Sequence, residues 1–371
     1  MTTPASDGSD SPLRDARQHP AFRRALLAWF RRSARDLPWR RTRDPYRIWV
    51  SEILLQQTRV ETVLPYYRRF IRAFPTVSRL AAAPLDRVLK LWEGLGYYTR
   101  ARHLHQAARL IVTRNGGKLP QSVEAWRSLP GVGRYTAAAI ASIALGEPVA
   151  TVDGNIRRVL ARLFREIDPI DRSNVQARLW TLADGLVSRS SPGDFNQALM
   201  ELGARVCRPR QPLCPTCPVR RWCAAHAAGV QNVLPRRTPK SPVPQVEEVA
   251  GLMRERGRIL LAQRRPQGLL GGLWELPGGP VHAGESPRQA LRARLEETLG
   301  IQVQSDGCVA RLHHAFSHRA VRLSVLACTR IAGRPRLRGY VAARWIGPDH
   351  LSEYALTRAT RKVLTRLGFE R

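Results

Sequence analysis

The chain has 371 residues and carries 61 Lys and Arg against 29 Asp and Glu, a formal net charge of +32. So large a cationic excess excludes an indifferent surface and points to a polyanionic partner, nucleic acid above all. The length allows two or more domains with cores of their own, the 43% hydrophobic content is ordinary for a globular protein, and no apolar run reaches the length of a membrane span.

Residues 1–19 are polar and rich in Ser, Asp and Pro, without the pattern of a secretory leader, and are expected to form a disordered tail. From about Pro20 the apolar residues recur at helical spacing. Phe22 to Phe30, Ile48 to Gln57, Leu85 to Trp92, Ala101 to Ile111, Tyr135 to Leu145, Ile156 to Phe164 and Phe195 to Leu202 read as helices, and no strand is expected before Gly229. This sets an all-α domain over residues 20–230. Residues 231–246, rich in Pro and basic residues, read as a linker. Beyond it, Val249 to Met253, Ile259 to Gln263, Cys308 to His314 and Val321 to Ile331 are short β-branched or alternating runs, and Pro287 to Leu299 reads as one helix. Residues 247–371 therefore form an α+β domain.

Three motifs in the helical part carry chemistry. Residues 129–137, Leu-Pro-Gly-Val-Gly-Arg-Tyr-Thr-Ala, join two helices through a tight turn. Gly131 and Gly133 let the backbone turn and let a phosphate approach the free N–H groups of the next helix. Asp153 follows eighteen residues after Tyr135, at the start of a further helix. Cys207, Cys214, Cys217 and Cys223 then fall within seventeen residues as C-x6-C-x2-C-x5-C. With no secretory leader, four clustered cysteines read as ligands of one metal centre rather than disulfides, and thiolate-only ligation suits an iron–sulfur cluster or a structural zinc.

Hairpin, aspartate and four-cysteine run, in that order, resemble the endonuclease III superfamily of helix-hairpin-helix base-excision DNA glycosylases. Leu37-Pro38-Trp39-Arg40, Val50 to Thr58, Gly94 to Tyr98 and Phe195 to Ala198 make the chain most similar to the MutY family, adenine glycosylases that act on adenine opposite 8-oxoguanine. The resemblance implies a 4Fe-4S cluster on the four cysteines, in a loop over residues 207–223. It implies a glycosylase that hydrolyses the N-glycosidic bond of adenine mispaired with 8-oxoguanine or guanine. Glu52 stands among Trp49, Val50, Ile53, Leu54 and Leu55, where burial should raise its pKa and let it protonate the leaving purine. Asp153, at a helix start, should remain ionised and face the charge developing at C1′. Asn155 would orient Asp153 or water. Tyr135 stands where lyase relatives carry an imine-forming lysine, so the expected enzyme is monofunctional and leaves an abasic site. Gln57 and Tyr97 would enter the base stack, and Arg35, Leu37, Trp39, Arg40, Thr58 and Gln197 would line or border the adenine pocket.

Residues 247–371 resemble the Nudix-like domain at the C-terminus of the same family. The metal-binding box is degraded: alignment on Gly279, Glu285 and Gly300 puts Ala293 and Arg294 at its Arg-Glu pair, and Thr298 replaces a glutamate. A hydrolase without its divalent-cation site is expected to have become a reader, with Phe316, Ser317 and His318 as the loop that recognises 8-oxoguanine. The implied protein is a cytoplasmic, nucleoid-associated monomer of bacterial type, bound to double-stranded DNA containing 8-oxoguanine·A or G·A mispairs and to no membrane. Three other readings remain: an endonuclease III-like pyrimidine glycosylase with lyase action, a non-catalytic DNA-binding iron–sulfur protein, and nucleotide pyrophosphohydrolase activity in the C-terminal domain, against which the degraded box argues.

Overall fold

The computed structural model describes residues 11–239, 242–315 and 319–369. The chain divides into two units, Met1–Ser78 with Ala107–Lys240, and Arg79–Gln106 with Ser241–Arg371. In chain order the first helices are α1 (His19–Ser33), α2 (Pro45–Leu55), α3 (Val60–Ala73), α4 (Val77–Ala82), α5 (Leu85–Trp92), α6 (Thr99–Asn115) and α7 (Val123–Arg127). Then come α8 (Arg134–Ile140), α9 (Gly154–Leu163), α10 (Ser173–Leu186), α11 (Pro192–Arg205) and the short α12 (Ala224–Ala227). As expected, none of the described residues before Gln245 lies in a strand.

In the first unit, Phe22, Leu26 and Phe30 form one buried stripe of α1. Phe22 meets Phe195 and Trp222 edge-on, at 6.3 and 5.6 Å between ring centroids. Ile156 and Leu160 of α9, Leu179 of α10 and Leu199 of α11 complete this core. α2 is buried almost all round, from Tyr46 to Leu54. Asp44 caps it by accepting from the Tyr46 N–H, and Pro45 fills its first turn.

Two expectations for the ends of this unit are corrected. The tail expected to be disordered through residue 19 is ordered from Ser11, because Leu13 is buried in the core and the Ser11 hydroxyl donates to the Leu163 carbonyl at 2.9 Å. Residues 1–10 lie outside the described part. The linker is tied down rather than free over its first half. Leu234 is buried, its carbonyl accepts from Arg162 Nε at 2.9 Å, and Ile170 N–H donates to the Arg236 carbonyl at 3.1 Å. Its last residues already belong to a strand that begins at Gln245.

The second unit is built on β1 (Gln245–Glu255), β2 (Arg258–Arg264), β3 (Trp274–Glu275), β4 (Gly278–Pro280), β5 (Gln302–Ala315), β6 (Ala320–Ala332) and β7 (Tyr340–Ile346), with helices α13 (Pro287–Leu299) and α14 (Arg358–Arg366). The strand order is β3-β2-β1-β6-β5, with β4 on β1 and β7 on β2. β1 and β6 are parallel and the other pairs antiparallel. Alternation splits each strand between two cores. Val249, Leu260 and Leu326 face Leu291, Leu295 and Leu299 of α13, whereas Leu252, Ile259 and Val325 face Val363 and Leu364 of α14. α13 occupies the expected residues because Ser286 and Gln289 form a reciprocal capping box and Gly300 closes it at φ 64°.

Residues 79–106 belong to this second unit through polar ties. Lys90 Nζ donates to the Tyr354 carbonyl at 3.0 Å, and Arg102 Nη1 to the Gly271 carbonyl at 2.8 Å. Glu93 Oε1 accepts from Leu356 N at 2.9 Å and from Arg361 Nη2 at 2.7 Å. Among the described residues no helix is long and apolar enough to cross a membrane.

Candidate active site

Helix α2 carries Glu52 into a buried position, 5% exposed. The hydroxyl of Tyr135, near the start of α8, donates to its Oε2 at 2.8 Å. Burial pushes the Glu52 pKa up to about 7, against the opposing effect of the Tyr135 hydrogen bond and with a further upward push from the charge of Asp153. A carboxyl with that pKa can hold a proton near neutrality. Tyr135 itself is half-buried and its pKa is raised, first by desolvation and then by the two carboxylates.

Asp153 is the N-cap of α9: its Oδ1 accepts from the Ile156 N–H at 2.6 Å. Its Oδ2 accepts from Asn155 Nδ2 at 3.1 Å. Burial raises the Asp153 pKa above the ordinary aspartate value, and the hydrogen bonds from Ile156 and Asn155 oppose the rise without cancelling it. The helix start thus works against burial here instead of acting alone. Asn155 Oδ1 in turn accepts from Arg158 Nη2 at 2.9 Å, and Arg158 also donates to the carbonyls of Cys207 and Gly203, each at 2.8 Å. This packing needs a glycine at 203, where a Cβ would stand 2.7 Å from the Cβ of Asn155. A chain of hydrogen bonds therefore runs from the cysteine loop to Asp153.

Glu52, Tyr135, Asp153 and Asn155 line one cavity of about 920 Å³, and so do Arg35, Leu37, Trp39, Arg40, Gln57, Thr58 and Gln197. Arg35 and Arg40 reach it as partners of Glu201, a fully buried carboxylate on α11, with Nη2 of each 2.9 Å from Oε2. Burial alone would raise the Glu201 pKa, but the two guanidiniums bring it down to about 2. Trp39 is buried edge-on against Tyr67 at 5.2 Å. Gln57, past the end of α2, is exposed and held at φ 57°, an uncommon and costly conformation for a residue with a side chain.

The hairpin turns at Gly131, φ 75°, and Gly133 is the N-cap of α8. α8 continues through Leu145 as a π turn. Cys207, Cys214, Cys217 and Cys223 take part in no disulfide and line a second, small cavity. The buried guanidinium of Arg162 donates to Cys207 Sγ at 3.2 Å and to the Arg208 carbonyl at 2.7 Å. A desolvated cation beside a sulfur suits a thiolate better than a thiol. Among the described residues no three His, Cys, Asp or Glu side chains are grouped as ligands of a metal ion.

In the second unit Tyr97 is 47% exposed and, like Gln57, sits in the left-handed region at φ 48°. Arg294 occupies the degraded Nudix helix with its Nη1 2.5 Å from His282 Nε2, its Nη2 3.8 Å from Glu285 and its Nε 3.4 Å from Glu297. A fixed cation thus stands among the carboxylates that remain of the box. Phe316, Ser317 and His318 lie outside the described residues.

The residues that sequence reasoning missed are Glu201, Arg158 and Arg162. Glu201 carried a readable signal, a single carboxylate in the apolar run Ala198-Leu199-Met200-Glu201-Leu202, the same signal that marked Glu52. The two arginines carried none in a chain so rich in arginine.

Comparison with known proteins agrees with this geometry. Residues 50–184 match the HhH-GPD superfamily of base excision DNA repair proteins, and residues 249–366 match the NUDIX domain. The chain is 36% identical to the adenine DNA glycosylase of Homo sapiens over 97% of its own length and 76% of the human protein. It is 37% identical to that of Rattus norvegicus, over 92% and 77%. Among solved structures, a thermostable thymine-DNA glycosylase aligns with a TM-score of 0.52 at 33% identity, over 57% of this chain and 98% of that one. A trapped endonuclease III–DNA covalent intermediate aligns at 0.50 and 22% identity over 58% and 98%, a likeness of fold. The chain belongs to the adenine DNA glycosylase family.

Proposed function

We propose that this protein removes adenine mispaired with 8-oxoguanine or guanine from duplex DNA by monofunctional hydrolysis of the N-glycosidic bond. The observation that carries the reading is the split pair of carboxylates in one cavity. Glu52 is pushed to about 7 and can hold a proton near neutrality, while Asp153 is fixed as a helix cap by two donors. The Tyr135 hydrogen bond engages Oε2 of Glu52, so Oε1 is the oxygen that gives its proton to N7 of the extruded purine. Asp153, oriented through Asn155, faces the cationic sugar as the bond breaks. The cavity is lined by residues of the first unit alone, from Arg35 to Glu201 and on to Arg237. Residues 247–371 are proposed to read 8-oxoguanine, with Arg294 in the place of a divalent cation.

The donor set at Cys207, Cys214, Cys217 and Cys223 fits a 4Fe-4S cluster. Four thiols share one cavity wall, and Arg162 stands ready for thiolate charge. Bound there, the cluster supplies a closed, all-thiolate centre that orders the loop. Arg158 then fixes Asn155 from the Cys207 carbonyl. Gln57 and Tyr97, both strained and exposed, are the side chains proposed to fill the gap left by base extrusion. The partner is double-stranded DNA, met by a monomer in the cytoplasm.

The lyase reading is disfavoured by Tyr135 and by the cavity wall, which among the described residues includes no lysine. The deciding experiment is a panel of duplexes containing 8-oxoguanine·A, G·A or oxidised pyrimidines, treated with alkali to reveal abasic sites. Strand breaks at adenine after alkali support the proposal. Breaks at oxidised pyrimidines, or breaks without alkali, refute it.

A further inference from the structure

We propose that Arg157 and Arg237 form the site for the phosphate next to the extruded deoxyadenosine, which makes the segment after the cysteine loop part of the substrate-binding surface. The proposal rests on Asp153 facing the deoxyribose. Arg237 belongs to the stretch that its composition marks as a mere linker, yet its backbone is held on both flanks. Before it, the Arg236 carbonyl accepts from Ile170 N at 3.1 Å. After it, the Thr238 N–H donates to both carboxylate oxygens of Asp171, at 3.0 and 3.2 Å. From this pinned position the exposed Arg237 side chain lines the same cavity as Asp153.

Of the other arginines of the cavity, Arg35, Arg40 and Arg158 are engaged, and Arg59 lines the wall as well. Arg35 and Arg40 neutralise Glu201, and Arg158 donates to two carbonyls and to Asn155. Arg157 lines the cavity as well, and its Nε is buried without a hydrogen-bond partner. Asp153 is already taken up by Ile156 and Asn155. A nucleotide whose C1′ faces Asp153 carries its phosphodiesters one sugar ring away. One of them therefore meets this wall, and the planar guanidinium fork matches its oxygens.

The test uses the full-length protein and a duplex in which 8-oxoguanine faces 2′-fluoro-2′-deoxyadenosine, with each flanking phosphate replaced in turn by a neutral methylphosphonate. Wild type should lose roughly tenfold in affinity at one of the two positions. Arg237→Ala should bind the unmodified duplex roughly tenfold more weakly, be indifferent to that methylphosphonate, and lower the salt slope of binding by about 0.9. Arg237→Lys should keep the slope. Arg157→Ala should blunt the same position. An unchanged methylphosphonate penalty in Arg237→Ala, or an unchanged slope, overturns the phosphate site. If wild type fails to release adenine from the cleavable duplex, it is the parent reading that falls.

Discussion

Tyr135 and Glu52, brought together from α8 and α2, share a hydrogen bond of 2.8 Å in which the carboxylate is buried and the phenol half-buried. The bond favours the ionised carboxylate and so restrains the rise that burial causes. With Glu52 as the proposed acid, base release should decline as pH rises through about 7. Tyr135→Phe removes the restraint, so the Glu52 pKa rises further and the alkaline limb of the single-turnover profile should move to higher pH. A limb that stays or moves down contradicts the assignment of Glu52 as the acid.

The same shift has a consequence for stability. The folded-state pKa of Glu52 lies above its unfolded value, so ionisation opposes folding. The penalty is absent below about 4.5 and grows as pH rises through about 7, where it amounts to something on the order of 3 kcal/mol. Glu52→Gln should accordingly be more stable than wild type at pH 8 and equal to it at pH 4, while base release falls by about 10²–10⁴-fold. Thermal unfolding at the two pH values is the measurement.

Arg158 joins the cysteine loop to Asn155 and thereby to Asp153. Replacing it with Ala should misplace the anion and cost about 10²-fold in the base-release rate, with affinity for an uncleavable duplex little changed. Asp153→Asn should abolish release and likewise spare binding. Equal losses of rate and binding in either variant would point to unfolding rather than misplacement.

Glu201 is fully buried between Arg35 and Arg40. Glu201→Gln leaves two guanidiniums without their counter-charge and should destabilise the protein by about 3–5 kcal/mol at neutral pH. Because the pKa of Glu201 is depressed to about 2, its contribution is complete above the unfolded value of 4.5 and is lost as pH falls toward 2. The gap between variant and wild type in denaturant should therefore close in acid.

The purified protein should be brown and contain iron and sulfide, and Cys223→Ser should lose both colour and ordered binding to DNA. Colourless protein with one zinc would overturn the cluster. Borohydride should trap no efficient covalent adduct of wild type with DNA, since Tyr135 forms no imine.

Local signals were legible in the sequence and distant partnerships were not. Ser286, Gln289 and Gly300 announce α13 at both ends, and the sequence patterns place the hairpin glycines at the turn, Glu52 on a buried helix and Asp153 at a helix start. α14 escaped because its buried Val363 and Leu364 are embedded in Arg-Ala-Thr-Arg-Lys, which reads as surface. Arg158 and Arg162 are buried only because carbonyls at Gly203, Cys207, Arg208 and Leu234 receive them, and no spacing rule links those positions. The polar ties of Lys90, Glu93 and Arg102 are equally invisible, being ordinary charges on amphipathic helices.

Those ties change what a cut in the connecting segment would do. Severing the backbone after Gly229 does not yield two self-sufficient halves, because residues 79–106 remain with the amino-terminal fragment while the groups that satisfy Lys90, Glu93 and Arg102 leave with the other. A nicked molecule should elute as a single non-covalent complex, and a shortened chain should be judged as one with an orphaned seam, not simply as one that lacks its Nudix part.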